Sequence, residues 1–345
     1  MRFFRTVLPT LAMIVAQFVS AQSGDTASKG DSGALKVLYV TSVGWYHDYQ
    51  RQTELVTDAI GQRVDAKIDV IVGDFERLRD TDFAVGYDVL IYNFCHAVRR
   101  DPQLVNKLIR PVRDLGVPLL AVHCTMHSFQ HVSEWYDLLG LKTLRHEQLR
   151  AVTLNKSAEH PVTATLAYPW QLANDELYIN ISVAKSTEAL IMAYGVETDK
   201  HHLQAWLHEV NGTPVLATTL GHSEETLTDP QFHQFLANAV AFLGGKMDRA
   251  GQLHPSVDCG DSCTVRRRTL TANVVYPSQE ERHCVIKTMY ETGIPRVENC
   301  EKTCSAEALA TKSDCAQQCQ ISEPWDTPES LWPACRGVKE VPKPS

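Results

Sequence analysis

Three apolar runs, ALKVLYVTS at 34–42, DVLIYNF at 88–94 and VPLLAVHC at 117–124, alternate with helical stretches over 52–63 and 102–115. Strands this uniformly apolar are buried on both faces, and a helix between successive strands imposes parallel pairing through right-handed crossovers. The pattern predicts an α/β fold: a three-layer sandwich around a mainly parallel sheet. Beyond Leu149 the apolar runs shorten. HLQAWLHEV and PVLATTLGHS flank Asn211-Gly212, a two-residue turn signal, and predict a hairpin. Asp229-Pro230 opens a helix that runs to Leu243 and stops at Gly244-Gly245.

The ends of the chain read differently. Arg2 and Arg5, the apolar stretch from Val7 to Val19 and the small residues Ser20 and Ala21 have the layout of a signal peptide over 1–21. Pro9 and Gln17 interrupt that stretch, which falls short of the roughly 20 residues a membrane span requires. No later run is long enough to span, so the mature chain is expected to lack a membrane span and to be secreted or periplasmic. Residues 22–33 form a small, polar leader, 34–247 the main domain and 248–258 a linker. Eight of the ten cysteines fall within the module 259–345. In an exported chain this predicts a disulfide framework. Cys300 and Cys304, like Cys315 and Cys319, are spaced one helical turn apart, which predicts two stapled helices. Structural zinc sites favour tighter cysteine spacing. The net charge of -8 comes without long charged blocks apart from Arg266-Arg267-Arg268, which argues against a nucleic-acid partner.

Chemistry is expected where the parallel strands end, because open α/β sheets bind ligands at the carboxyl edge near the point where strand order reverses. The three strands lead into Trp45, His47 and Asp48; into Cys95 and His96; and into His123, Cys124 and His127. A lone histidine at a strand end is usually structural; several converging on one edge are not. Cys124 stands where a nucleophile elbow would place a thiol, with His123 or His127 as its base, but the elbow's glycines are missing. Cys95 and Cys124 can equally pair as a disulfide, which would silence that thiol.

GWYHDY, YDVLIYNF, LLAVHCTMHSF, WYDLLG, HPVTATL, NDELY, QAWLHEVNGTPVLATTLGHS and DPQFHQFLANAVAFL occur in this order between about Leu35 and Gly245. Together they resemble the ThuA-like, or trehalose-utilisation, family. The resemblance implies a flavodoxin-like fold related to the class I glutamine amidotransferases, without their nucleophile, and a link to disaccharide metabolism. It points to His47, Asp48, His123, Asp175, Glu176, Tyr178, Trp206 and His222. Two departures are Cys124, where a small residue is more usual, and Val210-Asn211-Gly212-Thr213 in place of the family's glycine- and arginine-containing turn.

These residue types suit a polyol. Trp45, Tyr178 and Trp206 offer flat apolar faces, while Asp48, His127 and Asp175 offer hydrogen bonds to hydroxyls. His47, His123, Glu176 and His222 can move protons and are the expected catalytic groups. The expected function is binding of a carbohydrate, with hydrolysis or isomerisation by acid/base chemistry. The sequence assigns no cofactor outright; a divalent metal such as zinc is a second use for His47, His123, His127 and His222 with Asp48 or Glu176. Two rivals are a non-enzymatic binding module that works through the cysteine-rich tail, and an amidase dependent on Cys124.

Overall fold

The computed structural model describes residues 33–80, 82–97, 99, 101–289, 291 and 328–337. The expected signal peptide, nearly all of the leader, and Cys300, Cys304, Cys315 and Cys319 with their expected helices lie outside the described residues. The first half runs β1 (Leu35–Thr41), α1 (Tyr49–Gly61), β2 (Ala66–Val72), β3 (Val89–Asn93), α2 (Pro102–Arg113), β4 (Leu119–Val122) and α3 (Ser133–Leu139). There follow β5 (Leu141–His146), β6 (Arg150–Lys156), β7 (Trp170–Asp175), β8 (Tyr178–Val183), β9 (Glu188–Gly195), β10 (Lys200–Val210) and β11 (Thr213–Thr218). The helices α4 (Glu224–Leu227) and α5 (Pro230–Leu243) and the strand β12 (Arg266–Thr269) come next. A helix over 279–289 (α6) and one over Pro328–Cys335 (α7) complete the described chain.

Ten strands form one sheet in the order β12-β2-β1-β3-β4-β11-β10-β9-β6-β7. From β12 to β11 all pairs are parallel; from β11 to β7 all are antiparallel. Strand β2, which the periodicity passes over, pairs with β1 along its whole length. Its charged residues Lys67 and Asp69 break the apolar run that marks the other parallel strands. The period-two alternation of side chains sorts the core into two layers. Leu35, Val37 and Tyr39 pack with residues of α1 and α5, whereas Leu38 and Val40 pack with residues of α2 and α3. The result is a flavodoxin-like sandwich, as expected. The β10–β11 hairpin turns at Asn211 (φ 52°) and Gly212 (φ 80°), the two left-handed positions of a type I′ turn. Asp229 caps α5 by accepting from the amides of Gln231 and Phe232.

Sheet pairing continues beyond residue 258. Arg266, Arg267 and Arg268 form part of the edge strand β12 and pair with Asp65, Asp58 and Asp69, so the arginine run is spent on local ion pairs. Helices α6 and α7 are joined by the Cys284–Cys335 disulfide, and a second disulfide joins Cys259 to Cys263. Trp332 of α7 meets Trp45 edge to face at 5.1 Å. The tail thus covers the loop after β1. Among the described residues no helix is long and apolar enough to cross a membrane.

Candidate functional site

After β1 the chain runs to β2 on one side and then to β3 on the other, so strand order reverses between β1 and β3. The loops that leave these strands diverge, and a crevice opens at their carboxyl ends. His47 lies in the loop after β1. Gly44 (φ 85°) makes the loop possible, because a Cβ there would lie 2.4 Å from the carbonyl oxygen of His47. Asp48 closes the loop as the N-cap of α1, accepting from the Arg51 amide at 3.0 Å.

At the end of β4 the strained residue is His123, not Cys124. His123 has φ 50°, a left-handed conformation that residues with a Cβ rarely adopt. Its Nδ1 lies 2.7 Å from the Thr219 carbonyl oxygen, so the proton resides on Nδ1 and the Nε2 lone pair is left bare. That Nε2 is buried without a hydrogen-bond partner and lies 3.7 Å from Glu176 Oε2.

His222 and Glu176 come from the antiparallel half. Asp175, fully buried, accepts from the backbone amides of Gly221, His222 and Glu176 at 3.0, 3.1 and 2.8 Å. One carboxylate therefore ties the loop after β11 to the loop between β7 and β8. The outcome is a carboxylate ringed by imidazoles: Glu176 Oε1 lies 3.1 Å from His222 Nδ1 and 3.4 Å from His146 Nε2. The rings of His47, His123 and His222 form a triangle with centroid separations of 4.7, 5.0 and 5.4 Å. His127 stacks on Tyr178 at 4.0 Å.

Burial sets the charge states. It pushes His47 and His123 well below the usual imidazole range, helped by the neighbouring imidazoles, so both are neutral near pH 7. Burial, with His146 beside it, takes His127 down to about 3. His222 is the exception. Burial lowers it, but the contact with Glu176 and the charges of Glu176 and Asp175 outweigh that and raise it. Burial also raises Asp175, against the three amides that favour its anion.

A cavity of about 330 Å³ opens beside these groups; its wall includes His47, Cys95, Cys124, His146, Glu176 and His222, while His123 is buried behind it. A larger depression of about 600 Å³ lies at the opposite, amino-terminal edge of the strands, by Lys36, Lys67 and β12, away from the imidazoles. Of the residues expected at the site, His47, His123, His127, Glu176, Tyr178 and His222 come together. Four others serve elsewhere. Trp45 is 3% exposed and packs against Trp332, Asp48 caps α1, the oxygens of Asp175 face amides, and Trp206 lies in the core with its Nε1 donating to the Leu139 carbonyl at 2.7 Å. His146 was missed. It ends β5, a polar strand whose pairing of His146 with Tyr178 sets the imidazole beside Glu176; periodicity carries no sign of it. Cys124 is bonded to Cys95, so a Cys124-dependent amidase has no free thiol to use.

His96 follows β3 but belongs to the core, its ring among those of Phe75, Phe94 and Phe129 at 4.6, 5.3 and 5.8 Å. Burial, with Arg99 nearby, holds its pKa at about 3 against an ordinary 6.5. Below 6.5 the unfolded chain binds a proton there and the folded chain does not, so stability present above that pH is lost on acidification, by about 1.4 kcal/mol per pH unit. Urea titrations of His96→Phe between about pH 6 and pH 5 should show a loss smaller than that of the parent by this amount. Equal losses would mean that the imidazole is not held neutral.

The family model described as trehalose utilisation, ThuA, matches residues 36–243, well over half of the chain. The chain belongs to the ThuA family. Two solved ThuA-like proteins share the fold. The one from Parabacteroides merdae is 14% identical, with 66% of this chain and 98% of that one aligned at a TM-score of 0.51. The one from Bacteroides uniformis is 18% identical, with the same coverage of 66% and 98% and a TM-score of 0.50. A glutamine amidotransferase from Thermotoga maritima also matches, at 11% identity over 61% of this chain and 94% of that one, but its TM-score of 0.33 decides nothing. No curated protein matches. All the groups that border the ThuA cavity, from Tyr46 to His222, fall within the matched span.

Proposed function

We propose that this ThuA-like protein binds a carbohydrate in the 330 Å³ cavity and acts on it by proton transfer at Glu176. The observation that carries the reading is the meeting of Glu176 with His123, His146 and His222 at one partly closed rim. A carboxylate held among imidazoles can take a proton from a ligand hydroxyl, a C–H beside a carbonyl, or a water, and His222, whose pKa is raised, can return one. Tyr178 and His127 wall the cavity with stacked rings, and the family's link to trehalose utilisation supports a sugar as ligand.

His47, His123 and His222 each bring a nitrogen within 4.8 Å of the others, a spacing that suits a divalent ion. The fit is supported by His123, whose Nδ1 is fixed on a backbone carbonyl while its bare Nε2 has no other partner. Such an ion would supply Lewis acidity to a bound oxygen. The disulfides support work in an oxidising compartment, which suits a secreted or periplasmic protein.

The test is a panel of disaccharides and glycosides assayed for binding and turnover before chelation, after it, and after reloading with zinc. Retention of neither binding nor turnover by any member overturns the carbohydrate reading. Metal analysis of oxidised protein should give one ion per chain at this set, and none after His123→Ala. Equal metal content in parent and variant would remove His123 from the set.

A further inference from the structure

We infer that Cys95 and Cys124 form, with His47, a second metal site that opens only when their disulfide is reduced. A nitrogen of His47 and the two sulfurs lie within 4.8 Å of one another, and the same imidazole belongs to the His47, His123 and His222 set. The disulfide and the imidazole triad therefore share a ligand across one cavity wall, and both cysteines border the cavity, which gives a reductant and an ion a path to the pair.

The sheet keeps the pair ready. Cys95 and Cys124 follow β3 and β4, neighbouring strands in register from Leu90 with Leu119 to Tyr92 with Ala121, and their Cα atoms lie 5.0 Å apart. Breaking the S–S bond leaves that backbone spacing in place. Zinc bonds of about 2.0–2.3 Å in a tetrahedron set ligand atoms roughly 3.3–3.8 Å apart, so the His47 nitrogen needs to approach the sulfurs by about 1 Å at most, while the two sulfurs, once their bond is broken, part to reach that spacing. Among the described residues, neither Cys259–Cys263 nor Cys284–Cys335 belongs to such a group.

The chemistry balances with an external dithiol as reductant. The dithiol gives two electrons and two protons, becomes a disulfide, and leaves Cys95 and Cys124 as thiols. A thiophilic divalent ion such as Zn²⁺ or Cd²⁺ then displaces both thiol protons and binds two thiolates and the neutral His47. Since His47 serves one set at a time, reduction transfers the ion away from His123 and His222. The redox state of one disulfide thus selects which site at this cavity holds metal.

The experiment uses the full chain, reduced in the native state with a non-chelating phosphine and freed of metal. Reduced protein is alkylated with and without cadmium, and the peptides bearing Cys95 and Cys124 are followed by mass spectrometry. Cadmium is expected to slow alkylation of both by about tenfold or more, because a metal-held thiolate is not free to attack, and His47→Ala should abolish the protection. Cobalt supplies a second readout: a thiolate-to-cobalt charge-transfer band should appear on reduction and be weaker in Cys95→Ser/Cys124→Ser than in the parent by the share of this site. Equal alkylation of Cys95 and Cys124 with and without cadmium overturns the inference, as does a disulfide that the phosphine leaves intact in the folded protein. Neither result bears on the carbohydrate reading, which is tested on oxidised protein.

Discussion

Glu176→Gln is expected to lower turnover of any carbohydrate the parent accepts by about 10²–10⁴-fold, with KM changed only a few-fold. Glutamine keeps the length and an acceptor oxygen, so the packing against His146 and His222 can persist. What it removes is the exchange of a proton at the oxygen that faces both imidazoles. A group that acts only in the transition state lowers kcat and kcat/KM together, whereas one that merely holds substrate raises KM. Steady-state kinetics with the ligand found in the panel separates the two. A variant with unchanged kcat would move the chemistry away from Glu176, even if the cavity still binds sugar.

Asp175→Ala is expected to destabilise the fold by about 3–5 kcal/mol, measured by urea unfolding near pH 7.5, because it strands buried donors. Alanine leaves three backbone amides, of Glu176, Gly221 and His222, without the carboxylate that accepts from them. Each unsatisfied buried donor costs about 1–3 kcal/mol, partly offset because the variant no longer has to bury a carboxylate. The same amides hold the loops of Glu176 and His222, so activity at saturating ligand should fall in whatever protein remains folded. A loss of under about 1 kcal/mol would show that the loops stand without this anchor.

The four unused candidates explain how a correct motif reading still misplaces roles. Asp175 and Glu176 are adjacent in sequence, yet one carboxylate faces backbone amides and the other faces the cavity. Nothing in their types or spacing separates them; the turn between β7 and β8 does. Trp45 resembles a sugar platform until α7 places Trp332 on it. Trp206 stands between Ala205 and Leu207 on β10, so no polar–apolar alternation there says which face meets α3. The elbow at the end of β4 was legible as a place, but whether its left-handed residue is His123 or Cys124 depends on a one-residue shift of the strand end.

The layered α/β core, the turn at Asn211-Gly212 and the imidazoles that follow the parallel strands are all legible in the order of residues. Those features follow from local burial and backbone preference, which repeat with the period of each element. That His146 meets Glu176, that Cys95 bonds Cys124 and that the tail covers Trp45 follow from the three-dimensional packing. These contacts join residues from 29 positions apart, for the disulfide, to hundreds, and depend on strand order and register that no local pattern encodes.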